Sequence, residues 1–261
     1  MPIPLLSVIL ITRNEAHNVA DCLRSVAFAD EWIVVDSGST DGTREIASGL
    51  GAEVVTASDW LGFGIQKNRA LARARGRWVL SIDADERVDE ALAVQIRAVV
   101  GRAAETGGPA AYEFSRLSSF CGQWMRHGDW YPDRVLRLFR REAGRFSDDL
   151  VHERLIVDGV VGRLGGELRH LTMPSLDNAL DKMNRYTSGR AVDRLRAGKR
   201  GSLSSAIGHA FWAFLRTYLF KRGFLDGQLG FVLAIYVAEG TYYRYLKMSP
   251  LGQDPAIAQM K

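Results

Sequence analysis

Arg77-Trp78-Val79-Leu80-Ser81-Ile82-Asp83-Ala84-Asp85-Glu86 is the stretch that decides how this chain folds. A mostly apolar run of strand length ends in two carboxylates spaced i and i+2. A run of that kind is buried on both faces, as in the centre of a parallel sheet, so Asp83 and Asp85 stand at the open end of such a sheet. Carboxylate oxygens suit Mg2+ or Mn2+, which are commonly held by one or two carboxylates together with substrate phosphates. The same residues also suit an acidic helix start, because Asp85 and Glu86 are stabilised near a helix N-terminus. The tripeptide alone does not separate these two readings.

The flanking sequence repeats the pattern. Residues 5–11 (LLSVILI) form a nearly continuous apolar strand, and from Glu15 to Ala27 the apolar Val19, Leu23 and Val26 recur at helical spacing, with Asn14 available as a cap. Residues 31–35 (EWIVV) are a second strand, ending in Asp36-Ser37-Gly38-Ser39-Thr40-Asp41-Gly42-Thr43 and feeding a helix from Arg44. Residues 52–56 are a third strand and 65–74 a helix, and 77–82 are the fourth strand. Strands alternating with helices over short connections indicate βαβ units and a largely parallel, Rossmann-like sheet flanked by helices. Polar turns follow three of the four strands. Ligands of open α/β sheets bind beyond the carboxyl ends of the strands, so the turns at Thr12-Arg13-Asn14-Glu15, at Asp36 and at Asp83-Ala84-Asp85 are expected to share a crevice. Asp36 is expected to meet a ribose or base edge, while Asp41 reads as an Asx-turn and helix cap. Gln66-Lys67-Asn68-Arg69 places cations near a helix start, against the macrodipole preference, which an anionic ligand would resolve.

Residues 86–102 carry a helical pattern that Gly107-Gly108-Pro109 breaks. Residues 110–117 and 135–139 are predicted strands. Between them lies an aromatic segment, SSFCGQWMRHGDWYPD (118–133), too long for a routine turn and of the kind that carries function. After Pro174 the pattern is helical over 176–195, 203–220 and 229–248. The organisation read from this is a catalytic domain at 1–174, with a nucleotide-binding half at 1–106 and an acceptor half at 107–174. A helical region at 175–249 and a loose tail at 250–261 follow.

The 261 residues, 47% apolar and 25% charged, exclude a disordered chain and a disulfide scaffold. Cys22 and Cys121 lie far apart and form no metal-type spacing. The first apolar run has neither a basic n-region nor a small-residue cleavage site, so a reduced, cytoplasmic compartment is expected. The net charge of +4 is unevenly spread: residues 182–247 hold 12 Lys+Arg against 3 Asp+Glu, a local +9, leaving −5 elsewhere. A basic, apolar C-terminal third suggests an anionic membrane surface as partner and not nucleic acid. The longest apolar run there, 231–238, is far below the roughly 20 residues that span a bilayer. The 203–220 helix, with Phe211, Trp212, Phe214 and Tyr218 beside Arg216, suits a lipid interface or packing against protein.

SVILITRNEAHNVADCLRSV, VVDSGSTDGT, GIQKNRAL and WVLSIDADE resemble, in order and spacing, the successive motifs of family 2 inverting glycosyltransferases of GT-A fold. SSFCGQWMRHGDWYPDRVLRLFRR, LVHERL and the 209–239 segment resemble the subgroup that glycosylates the inner core of bacterial lipopolysaccharide. The resemblance implies a nucleotide-sugar donor, UDP-glucose, and a lipid-linked saccharide acceptor bearing a heptose. It also implies work on the cytoplasmic face of the inner membrane. By the same resemblance Asp36 binds the base, Asp83 the ribose or metal region, and Asp85 a metal bridging the diphosphate. Lys67 and Asn68 stand where the family has Arg-Asn near the donor, and Arg13 stands beside the position of a base-stacking aromatic residue.

An inverting transfer requires a general base. FSDDLVHERL offers Asp148, Asp149 and Glu153, of which Glu153 is preferred and Asp149 second. His152 is open between metal ligand, diphosphate contact and structural residue. Trp124, Trp130 and Tyr131 suit an acceptor platform or ordinary core packing. Arg126, Arg134 and Arg137 suit acceptor phosphates or surface charge. Two other classes fit less of the pattern: a metal-dependent nucleotidyltransferase, which would normally show a Gly-rich loop after the first strand, and a non-catalytic nucleotide-sugar-binding module.

Overall fold

The computed structural model describes residues 3–102, 108–147 and 153–252. In chain order its elements are β1 (Leu6–Thr12), α1 (Val19–Ser25), β2 (Glu31–Asp36), α2 (Thr43–Gly49), β3 (Glu53–Thr56), α3 (Phe63–Arg73), β4 (Trp78–Ser81), β5 (Glu86–Val88), α4 (Glu90–Val100), β6 (Ala111–Phe120), β7 (Gln123–Trp124), β8 (Asp133–Arg140), β9 (Gly144–Phe146), β10 (Leu155–Val157) and β11 (Val161–Met173). The helices α5 (Leu176–Arg196), α6 (Leu203–Leu215) and α7 (Gly227–Lys247) close the described chain.

A nine-stranded sheet runs in the order β3-β2-β1-β4-β8-β6-β11-β5, with β7 attached to β6. β3, β2, β1 and β4 are mutually parallel. β8 joins β4 antiparallel, and β11 pairs antiparallel with β5. The expected parallel sheet is thus present, extended by antiparallel strands. β1 shows why its sequence is mostly apolar. Leu6, Val8 and Leu10 enter a core with Val19, Leu23, Leu92 and Ile96, while Ile9 enters the core on the other face with Val35, Ala70 and Phe139. A strand covered on both faces takes a polar residue only where a hydrogen bond satisfies it, as at Ser7, whose hydroxyl donates to Glu31 and accepts the Gly76 N–H at 2.8 Å.

Three readings of local sequence are corrected. Glu86–Val88 is a strand and not the start of the following helix; α4 begins after Asp89, whose side chain accepts the Leu92 N–H at 2.7 Å. Asn14 does not cap α1, which follows Asn18. Instead Asn14 takes a left-handed backbone, φ 56°, a conformation Asn tolerates better than most residues. The 118–133 segment is partly a hairpin: β6 and β7 pair Phe120 with Gln123 across Cys121 and Gly122, both at positive φ, as two-residue hairpin turns require. β11, with Gly162, Gly165 and Gly166 among its 13 residues, was not foreseen, because glycines inside a run weaken a strand signal.

The chain divides into two compact units, Met1–Arg116 with Arg134–His170, and Leu117–Asp133 with Leu171–Lys261. The aromatic 117–133 segment therefore belongs with the C-terminal helices and not with the rest of 107–174. In this second unit Phe120, Met125, Ala179 and Leu233 form a separate small core, and His127 is fixed by Asp226, which accepts both its backbone N–H at 2.8 Å and a 2.7 Å contact to its Nδ1.

Candidate functional site

Because β1, β2 and β4 are parallel, the turns that follow them leave the same edge of the sheet. Hydrogen bonds tie these turns together. The Asn14 N–H donates to Ser39 Oγ at 2.8 Å, and Asn14 Oδ1 accepts the Thr40 N–H at 2.9 Å. The Glu15 N–H donates to Thr43 Oγ1 at 2.8 Å, and the Cys22 thiol reaches the Asp83 carbonyl at 3.5 Å. Asp41 accepts the Ala16 N–H at 3.0 Å and the Thr43 N–H at 3.1 Å, the turn-holding role read from the sequence. Arg13 is exposed at this edge. Burial pushes the Glu15 carboxyl up, and the neighbouring Asp85 charge adds to that.

Asp36, expected at a ribose or base edge, is engaged within its own loop. Its side chain is wholly buried, and both oxygens are used within the chain. Oδ1 accepts the N–H groups of Gly38 and Ser39 at 3.1 and 2.8 Å; Oδ2 accepts the Thr12 hydroxyl at 2.9 Å and the Ser39 hydroxyl. A buried carboxylate bonded in this way holds the loop in shape.

The loop after β4 is built around charge. Glu86 is wholly buried; its Oε2 accepts the Asp83 N–H at 2.9 Å, while Oε1 faces Arg137 Nη2 at 3.1 Å and Arg116 Nη1 at 3.4 Å. Arg137 also meets Asp83 Oδ2 at 2.7 Å. It arrives there because β8 runs antiparallel to β4, with Leu138 opposite Leu80. Arg137, expected at acceptor phosphates or on the surface, is instead an internal counter-ion. Lys67 of α3 supplies the second cation, 3.3 Å from Asp83 Oδ1. Burial by itself would push the Asp83 carboxyl up, but Arg137 and Lys67 outweigh it and hold the group far below the usual carboxylate range. The same pairing drives the Arg137 guanidinium up, against the effect of its burial.

Lys67 is nearly buried, and its ammonium also lies 2.9 Å from Glu153 Oε1. The cation that seemed misplaced at a helix start thus bridges Asp83 to Glu153. Two features bring α3 this close to Phe146, Ser147 and Glu153. A Cβ at Gly64 would stand 1.8 Å from the Ser147 carbonyl oxygen, so only glycine fits there. Asn68, expected at the donor, commits its amide to Phe146, donating to the Phe146 carbonyl at 2.9 Å and accepting its N–H at 3.0 Å. Asn68→Ala is therefore expected to cost about 1–3 kcal/mol of stability, the penalty for orphaned backbone groups, while leaving nucleotide affinity near wild type. Urea denaturation and nucleotide titration measure the two effects separately, and a large loss of affinity at unchanged stability would return Asn68 to the donor. Asp148, Asp149 and His152 lie outside the described residues.

Asp85 differs from Asp83. About a quarter exposed, it has His170 Nε2 at 3.3 Å. His170 reaches it because β11 pairs His170 with Glu86 in register. The sequence reading missed this histidine; its signal was a lone imidazole in a strand of aliphatic, glycine and charged residues. Among the described residues no three His, Cys, Asp or Glu side chains cluster as a complete metal cage. A part-buried carboxylate and an imidazole fit a divalent cation whose remaining ligands come from a diphosphate and water. Both Asp83 oxygens already face cations, so within the described geometry Asp85 and His170 are the better donors.

The remaining candidates fall in two places. Arg134 is exposed on β8 in the first unit. In the second unit Trp124 sits in the β6–β7 hairpin, and Tyr131 lies under the Arg126 guanidinium, 5.5 Å from its ring centre. Trp130 packs edge-on against Phe120 and lines an open pocket among α5, α7 and the end of β11.

Comparison with known proteins adds a family-level finding. Residues 7–115 match the model of "Glycosyl transferase family 2". A lipopolysaccharide core biosynthesis glycosyltransferase, LpsC, of Rhizobium meliloti is 30% identical over 263 residues, covering 95% of this chain and 96% of that protein. An uncharacterised glycosyltransferase of Rickettsia prowazekii is 30% identical over 256 residues, covering 94% and 87%. Among solved structures, Staphylococcus aureus TarS 1–349 aligns over 93% of this chain and 90% of its own, at 14% identity and a TM-score of 0.44.

Proposed function

The chain belongs to glycosyl transferase family 2, and from that premise we propose that it moves a sugar from a nucleotide donor, UDP-glucose, onto a heptose of a lipid-linked lipopolysaccharide core by inverting single displacement. The observation that carries this is the Asp83–Lys67–Glu153 bridge beside Asp85 at the carboxyl edge of the parallel strands. Glu153 is the general base: its carboxylate, oriented by Lys67, takes the proton from the acceptor hydroxyl as that oxygen attacks the anomeric carbon. Exposed Arg13 and the Thr12–Glu15 turn face the nucleotide. A bound Mg2+ or Mn2+ would supply charge neutralisation for the departing nucleoside diphosphate. Asp85 and His170 would hold it, and the imidazole favours Mn2+ of the two. The name of the Rhizobium relative supports the acceptor class.

A transfer assay over nucleotide sugars with Mg2+ or Mn2+ tests the reading. Asp85→Ala is expected to lower transfer by at least about a hundredfold and to weaken metal-dependent nucleotide binding. Undiminished transfer by that variant would remove the metal from Asp85.

Membrane-surface work is the second part of the proposal. Among the described residues no helix is long and apolar enough to cross a membrane. α6 nevertheless exposes Ile207, Phe211 and Trp212, and Leu219 and Phe220 follow it, with Phe211 and Phe220 each 65% exposed. Such a row of large apolar side chains, flanked by Lys199, Arg200 and Arg222, suits the interface of an anionic cytoplasmic leaflet. Arg216 and Lys221 contribute less of that charge, since both pair with Asp129. Sedimentation with anionic vesicles is expected to fall with rising salt and to be lost in a Phe211→Ser, Trp212→Ser variant. Unchanged pelleting of that variant rejects the lipid role of α6.

A further inference from the structure

The second unit holds an open pocket of about 370 Å³, within the size range of small-molecule sites. Its polar lining has one sign. Lys182, Arg190 and Arg244 contribute cations, and no carboxylate stands among the described lining residues. Lys182 is anchored by donating to the Thr172 carbonyl at 2.7 Å. Arg190 stands exposed at the mouth and takes part in no ion pair among the described residues. Arg244 is half-buried in the wall, and its Nε is a buried donor with no hydrogen-bond partner.

These cations oppose one another. Burial, together with the charges of Arg194 and Arg190, brings the Arg244 guanidinium below its ordinary value. A fold that gathers like charges and leaves a buried N–H unpaired sacrifices stability, and an anion in the pocket would relieve both terms. The rest of the lining points to the kind of anion. Trp130, Tyr186 and Tyr236 give aromatic faces with phenol hydroxyls on the two tyrosines, and Thr241 gives a further hydroxyl. Aromatic faces with nearby hydroxyls suit a ring that bears hydroxyl groups, whereas a bare inorganic anion would use only the guanidinium groups.

We propose that this pocket binds an acidic saccharide, a phosphate- or carboxylate-bearing sugar, with Arg190 and Arg244 meeting the anionic group and Trp130, Tyr186 and Tyr236 meeting the ring. The pocket lies wholly within the second unit and uses none of the residues assigned to the donor. Its role as an acceptor subsite rests on the transferase reading above; its capacity to bind such a sugar does not.

The test is calorimetric titration of the full-length protein with mannose 6-phosphate, glucuronate, mannose, inorganic phosphate and glycerol 3-phosphate, without nucleotide. Mannose 6-phosphate or glucuronate is expected to bind saturably and to weaken with salt, with mannose and the two small phosphates at least about tenfold weaker. Arg190→Gln, at the exposed mouth, should weaken the acidic sugar at least about tenfold, and Arg244→Gln by a similar factor, with UDP-glucose hydrolysis unchanged in both. The proposal is overturned if no acidic sugar binds saturably. It also falls if both variants bind like wild type, or if a small phosphate without a sugar ring binds as tightly as the sugar phosphate. Failure of donor turnover with acidic-sugar binding intact would count against the transferase reading alone.

Discussion

Glu153→Gln is expected to bind nucleotide sugar as the wild type does and to transfer the sugar about 10²–10⁴ times more slowly, the usual contribution of a positioned general base. The side-chain amide keeps an oxygen that accepts from Lys67, which lies 2.9 Å from Glu153 Oε1, so the local geometry is preserved while the proton acceptor is lost. Single-turnover transfer separates chemistry from donor binding, and nucleotide titration measures the latter. If turnover stays within about threefold of wild type, far short of that contribution, Glu153 is not the base and Asp149 takes its place. A rise in donor Kd with unchanged single-turnover rate would make the Lys67–Glu153 pair a donor-binding device.

Glu86→Ala carries the other large effect, on stability as well as activity. This carboxylate is wholly buried, faces Arg137 and Arg116, and accepts the Asp83 N–H. Removing one partner from a buried ion-pair group typically costs about 3–5 kcal/mol, because the remaining charge is left without compensation. Glu90→Ala is the matching control: its pair with Arg97 is exposed and worth about 0–1 kcal/mol. Urea denaturation should separate the two variants clearly. Transfer by Glu86→Ala should also fall, because the Asp83 N–H loses its acceptor. Equal stabilities for the two variants would mean that Arg137 and Asp83 hold the loop without Glu86.

Much of the fold was legible because burial leaves a direct imprint on composition. β1, β2 and β4 are covered on both faces or nearly so, and each reads as an apolar run closed by a polar residue. The helices α5 and α7 match the predicted 176–195 and 229–248 spans to within two residues at each end. β11 and β5 were not legible. One is interrupted by glycines that allow close approach, such as Gly166 against Leu92, where a Cβ would stand 2.4 Å from the backbone nitrogen. The other is three residues long and carries Glu86 and Arg87, whose charges read as a helix start.

What the sequence determined by itself is the order of the first four strands and the turns after them, the family, and the arrival of Asp83 and Asp85 at the open edge of a parallel sheet. The family follows from motif resemblance, and the rest from local periodicity and chain direction. Only the tertiary structure decided what each charged group does there. Asp36 is sealed inside its own turn, and Asn68 is a backbone clamp. Arg137 comes from an antiparallel strand to neutralise Asp83, and His170 comes from another to meet Asp85. Asp36 is held mostly by its own turn, but the roles of Asn68, Arg137 and His170 each depend on a partner far away in the chain. A side chain's partner sets whether its charge is satisfied internally or left for a ligand, and no local pattern encodes it. Asp83-Ala84-Asp85 thus separates into a carboxylate held between Arg137 and Lys67 and one that faces His170.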